Sequence, residues 1–155
     1  MDKKAVRIMR EQWFCVIATA SAEGVPWVTP VFYNFDPAYR LIWESSREAQ
    51  HSKLIAANPN VAIVVANFET RNADEAVYLV CRAREVPPDG LDEALDVFLH
   101  GAHERKETVP RTSALYLDDQ PLRLYEAVPE KAYLLVVSHD PDGRRIDHRQ
   151  ETQLR

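Results

Sequence analysis

The hydrophobic pattern changes period several times along the chain, and each change marks an element. Ala5, Val6, Ile8, Met9 and Trp13 recur at helical spacing with charges between them, which predicts a short amphipathic helix over residues 2–12. Phe14-Cys15-Val16-Ile17-Ala18-Thr19 is apolar and rich in β-formers, and Ser21-Ala22-Glu23-Gly24 carries turn chemistry. Over residues 26–36, Val28, Pro30 and Phe32 alternate with Trp27, Thr29, Val31 and Tyr33, which predicts one long strand. Pro26 and Pro30 put that strand at an edge or a bulge, because proline donates nothing to a ladder. Phe35-Asp36-Pro37-Ala38 predicts a hairpin turn into a strand over 39–45, with Leu41 and Trp43 on one face and Ile42 on the other.

A helix is expected next. Ser45-Ser46-Arg47-Glu48 matches the Ser-x-x-Glu capping box, and Asn58-Pro59 ends the helix because proline disfavours a helical predecessor. Two strands follow over 61–68 and 76–86, joined by a polar linker over 69–75. The first is apolar enough to be buried on both faces. Pro87-Pro88-Asp89-Gly90 opens a helix in which Leu91, Ala94, Leu95, Phe98 and Leu99 fall on one face, and Gly101 stops it. Residues 104–120 are charged without firm periodicity and predict a loop or lid. The last strands are expected over 122–127 and 131–138, broken at Pro129, with 139–155 a polar surface tail. Six or seven strands in antiparallel hairpins with three helices make a mainly β, α+β chain. Closing such strands into a barrel removes exposed edges.

Length and charge narrow the classes. A chain of 155 residues is one domain by size. Its longest uninterrupted apolar runs, residues 61–66 among them, are far short of the roughly 20 residues that span a bilayer. The first eleven residues lack the apolar middle of a secretory signal. With 19 basic against 24 acidic residues, and no basic block, nucleic acid is not an expected partner. Cys15 and Cys81 lie in apolar runs without metal-ligand spacing, which points to a reducing, cytoplasmic setting.

Candidate chemistry is sparse. His100 and His103 lie three apart, a spacing that can put two imidazoles on one helix face, but no third ligand is evident and a solvated helix end accounts for them as well. Asp140-Pro141-Asp142-Gly143 reads as a type I turn rather than a calcium loop. No Gly-rich phosphate loop is possible with only four glycines. An anion can still bind where unpaired amides open a helix, and Ser45 and Ser46 stand at the expected start, with Arg47, His51, Ser52 and Lys53 following. A capped surface helix with a solvated basic face has the same residues.

The run from Trp43 to Ile63, with Trp43-Glu44-Ser45, Gln50-His51-Ser52-Lys53-Leu54-Ile55 and Asn58-Pro59-Asn60-Val61, resembles the flavin-binding split-barrel family related to pyridoxamine 5′-phosphate oxidase. Gly24-Val25-Pro26, with Pro30-Val31-Phe32-Tyr33 after it, and Val77-Tyr78 through Val86 are similar to that family's flanking strands. The resemblance implies an antiparallel split barrel that dimerises, with flavin mononucleotide (FMN) in clefts at the subunit interface and a small-molecule substrate. It places the phosphate against Ser45, Ser46, His51, Ser52 and Lys53. The isoalloxazine edge faces the backbone of Val28, Thr29, Pro30 and Val31, with Trp43 and Glu44 on the neighbouring strand. Lys131 and Tyr125 come from the other subunit. Gln50 and His51 stand where the oxidases carry an Arg/Lys pair, and no Trp follows Ala127, so vitamin B6 oxidation itself is not implied. The expected function is an FMN-dependent oxidoreductase. The alternatives are the same fold binding deazaflavin or haem, with His51 or the His100/His103 pair on iron, and a non-enzymatic cofactor-binding or stress protein.

Overall fold

A computed structural model describes residues 1–67, 75–103 and 110–154. The expected linker over 69–75 and the first part of the expected lid fall almost wholly outside them. Helix α1 (Lys3–Glu11) opens the chain with Asp2 as its cap, whose carboxylate accepts from Lys4 N at 2.7 Å. Strands β1 (Phe14–Ala20) and β2 (Pro26–Phe32) form a hairpin, then β3 (Asn34–Phe35) and β4 (Leu41–Ser46) a second. Helix α2 (Gln50–Ala57) leads into β5 (Asn60–Ala66), β6 (Ala76–Glu85) and helix α3 (Leu91–His100). Strands β7 (Leu122–His139) and β8 (Arg145–Thr152) finish the chain.

The hydrogen-bonded path runs β2-β1-β5-β6-β7-β4-β3, with β8 added to β7, all antiparallel. Strands β2 and β3 stand at opposite ends of that path yet are separated in sequence only by Tyr33, so the sheet curls until its ends meet. Tyr33 is pinned at the seam: its amide donates to Trp13 O at 3.3 Å, and its buried hydroxyl to Met9 O at 2.7 Å. This break replaces the single strand expected over 26–36. The edge position of its first part follows the two prolines, since β2 pairs β1 alone.

Inside the barrel, Cys15, Ile17, Trp43, Val61, Ile63, Val65, Val77 and Leu79 pack with Ala5, Ile8 and Met9 of α1. Both thiols are free and buried, and burial pushes the Cys81 pKa up to about 12, so neither is a reactive nucleophile. A second core lies outside the barrel wall, where Leu91, Ala94, Leu95 and Phe98 of α3 cover Ile42, Val86 and Leu124. Leu41 and Trp43 therefore face the first core and Ile42 the second, as alternation along the strand requires.

Three other expectations change. Strand β7 is continuous over 18 residues, because Pro129 sits at a register shift opposite Cys81 where the ladder needs no amide from it. The supposed tail forms β8, an exposed charged strand paired with β7, so the sheet has eight strands rather than six or seven. Its polarity hid it, since β8 buries almost nothing of its own. The latter part of the expected lid is anchored: Tyr116 is fully buried in the second core. Among the described residues, no helix is long and apolar enough to cross a membrane.

Candidate functional site

The start of α2 differs from the capping box read in the sequence. Ser45 and Ser46 belong to β4, pairing with Arg123 and Leu122. A turn then intervenes, in which Ser46 Oγ accepts from Glu48 N at 3.1 Å and Ala49 N donates to Ser46 O. The helix begins at Gln50, with Ala49 as a cap that offers no side chain. Lys53 N makes the first helical bond, to Ala49 O at 3.1 Å. The amides of Gln50, His51 and Ser52 thus have no acceptor within the helix, which is the anion-binding arrangement of a helix start.

Two expected site residues are brought together here. His51 is buried and its Nε2 lies 2.8 Å from Ser45 Oγ, a bond that ties the helix start to the strand end. Burial holds the His51 pKa below the ordinary imidazole value, so the ring is neutral at pH 7. Ser52 is also buried, with no hydrogen bond at its Oγ. It lies close enough to Tyr125 to oppose the rise that burial imposes on that phenol's pKa. A buried hydroxyl without an acceptor is costly, and it marks the helix start as a place where a further polar group can be received.

The other expected residues are distributed differently. Lys53 is exposed and its ammonium meets Glu48 at 2.8 Å. Trp43 is fully buried, stacked on Tyr125 with ring centroids 5.7 Å apart, and its Nε1 has no partner. Tyr125 thus lies against Trp43 and beside Ser52 of its own chain. Glu44 is held by an ion pair with Arg111 and accepts from the Tyr116 hydroxyl at 2.7 Å. On β2, Val28 and Pro30 are exposed, Thr29 is half-buried and accepts from Trp27 Nε1 at 2.9 Å, and Val31 turns into the core. Lys131 is exposed on β7 opposite Val80.

The histidine pair separates. Helix α3 ends at His100, whose Nδ1 bonds Asp96 at 3.1 Å in solvent. His103 lies past the helix end, buried and stacked on Trp13 at 5.5 Å, with Tyr33 and Phe35 edge-on. The two imidazoles do not share a helix face. Among the described residues no group of three or more His, Cys, Asp or Glu is placed to hold a metal.

One surface was missed in the sequence reading. Registers across four strands align Val28, Ala18, Ala62 and Val80 in one outward row that ends at Lys131, and Pro30, Val16, Val64 and Tyr78 in the next. Val28 is 62% exposed and Val80 42%. The signal was the unbroken apolar run of β5, which matches a strand covered on both faces. In this chain only the inner face, with Val61, Ile63 and Val65, is covered, while Ala62 is open and Val64 half-open.

Comparison with known proteins bears on the fold and the family. Three solved structures share the fold at low identity. A haem-binding protein from Mycobacterium smegmatis aligns with TM-score 0.66 and 18% identity, over 95% of this chain and 57% of that one. A protein described as F420 reductase aligns with TM-score 0.61 and 16% identity, over 85% and 98%. A pyridoxamine 5′-phosphate oxidase-related, FMN-binding protein from Nostoc punctiforme aligns with TM-score 0.55 and 12% identity, over 88% and 86%. No curated protein matches the sequence. Residues 1–136, nearly the whole barrel, match the family described as pyridoxamine 5′-phosphate oxidase, and the chain belongs to that family.

Proposed function

We propose that this chain is an FMN-binding flavoprotein that works as a homodimer and serves as an oxidoreductase for a small molecule. The observation that carries the reading is the start of α2, where unpaired amides, the Ser45–His51 pair and the partnerless Ser52 hydroxyl converge. That donor set suits a phosphate. The amides and hydroxyls donate to its oxygens, and neutral His51 orients Ser45 without adding charge. Arg47, exposed on the preceding turn, is in no ion pair among the described residues, whereas Lys53 is engaged by Glu48. The bound flavin supplies the redox chemistry, and the protein supplies placement and exclusion of water.

The apolar wall supports the dimer. A row in which Val28, Ala62 and Val80 are open to water and Ala18 half-open is the kind of surface a second copy buries, and Lys131 at its end then reaches across to the partner. Haem is less well served. His51 Nε2 is occupied by Ser45 and His103 is enclosed by aromatic rings, so neither is a free axial ligand, and His100 stands exposed at the end of α3 without His103 beside it on the helix. A deazaflavin with the same phosphorylated tail meets the same donors.

The test is the absorption spectrum of the purified protein together with FMN titration. The expected outcome is a bound flavin, or uptake with micromolar affinity or better, lost in Ser52→Asp, where a carboxylate replaces the hydroxyl. Protein that takes up no flavin, or shows a Soret band that His51→Ala abolishes, overturns it. Sedimentation showing a monomer at micromolar concentration overturns the dimer.

A further inference from the structure

Three hairpins of this fold share one turn geometry. In each, the first residue's amide bonds the carbonyl four residues on, and the fourth residue's amide bonds back to the first residue's carbonyl: Ser21–Val25, Asp36–Arg40 and Asp140–Arg144. In each, the first side chain also accepts two amides of the turn. The fourth position needs a left-handed backbone, and two of the three turns use glycine there, Gly24 at φ 83° and Gly143 at φ 80°. The third uses Tyr39, at φ 66°. A bulky residue in that region is strained, and nothing in the turn itself calls for a ring.

The ring has a place to act. Tyr39 lines a cavity of about 450 Å³ at the foot of the barrel with Phe35, Asp36, Arg10, His100 and Gly101. That volume suits a small organic molecule. The half-buried Tyr39 ring is backed by the buried Phe35 ring, 6.5 Å away at 31°. The charges there are unequal. Both Asp36 oxygens are taken within its own turn, Oδ1 by the Ala38 and Arg40 amides and Oδ2 by Arg40 Nε. Arg10 has no ion-pair partner among the described residues, and His100 Nδ1 donates to Asp96, so its Nε2 donates to a ligand when the ring is the imidazolium.

We propose that this cavity binds a small planar carboxylate, its acid group on Arg10 and on Nε2 of imidazolium His100 and its flat body against Tyr39. A guanidinium outside any ion pair among the described residues matches a carboxylate in bidentate geometry, and an aromatic ring matches a planar body. The cavity is walled by α1, the β3–β4 turn and the end of α3, none of which belongs to the flavin reading above, so the two sites stand or fall separately.

Benzoate is the probe, titrated into the full chain with and without FMN and followed by amide NMR. The expected result is saturable shifts at Tyr39 and Gly101 in both forms, with neutral benzamide giving none. Arg10→Gln weakens binding by about tenfold, the loss of one charge-assisted contact. Tyr39→Gly weakens it too, and this variant folds because the sister turns already carry glycine at that position. Absence of saturation in the millimolar range, equal binding of benzamide, or unchanged affinity in both variants overturns the proposal.

Discussion

Replacing Gly101 with alanine tests the corner that joins α3 to β3. A Cβ built on Gly101 falls 2.6 Å from Val97 O and 2.7 Å from Asn34 Oδ1, closer than real Cβ contacts come. Neither neighbour can yield. Val97 O accepts the Gly101 amide that closes α3, at 2.9 Å. Asn34 is fully buried and uses its whole side chain: Nδ2 donates to Phe98 O at 3.2 Å and His103 O at 2.7 Å, and Oδ1 accepts from Phe35 N at 3.0 Å and His103 N at 2.9 Å. Relieving the clash means overpacking strain or the loss of at least one buried hydrogen bond, together about 3 kcal/mol. For a domain of this size that lowers Tm by about 6–12 °C. Urea unfolding is the assay, with midpoint and slope fitted separately, since a fall in midpoint at constant slope reports stability alone. A Gly101→Ala variant within about 0.5 kcal/mol of the parent, the range of neutral surface changes, refutes the reasoning.

Other outcomes follow from the same structure. Burial lowers the pKa of both His51 and His103, so the unfolded chain takes up protons first as pH falls below about 6.5. The stability that these two rings contribute is therefore complete above that pH and is lost below it. His51→Gln and His103→Gln each flatten the decline in urea titrations across it, and an unchanged slope in both disproves the assignment. Tyr116→Phe deletes the hydroxyl that donates to Glu44 and accepts from Arg111, and should cost about 1–3 kcal/mol in thermal unfolding. Val80→Lys puts a charge in the middle of the apolar wall and should leave a folded monomer in sedimentation; a persisting dimer places the interface elsewhere.

Much of the fold was legible because local rules suffice for it. Helical spacing in Ala5, Ile8 and Met9 and in Leu91, Ala94, Leu95 and Phe98 marks the faces of α1 and α3 that are buried. Leu41, Ile42 and Trp43 divide between two cores as alternation demands. Where local rules compete, the reading failed. The Ser-x-x-Glu box ahead of α2 is outbid by β4, whose ladder to β7 keeps Ser45 and Ser46 extended. Pro129 interrupts no strand, since a register shift absorbs it. Strand β8 has no apolar face to announce it, because it is held by its ladder to β7.

The sequence by itself determined the mainly β class, the family likeness and the residues that gather at the start of α2, since all of these rest on periodicity and on residue types in order. Tertiary structure alone decided that Ser45 reaches His51 and that Lys53 is spent on Glu48. It also decided that Trp43 faces inward and that four strands present one apolar wall. These facts depend on register, and register between strands distant in sequence is set by how whole faces pack rather than by any one segment.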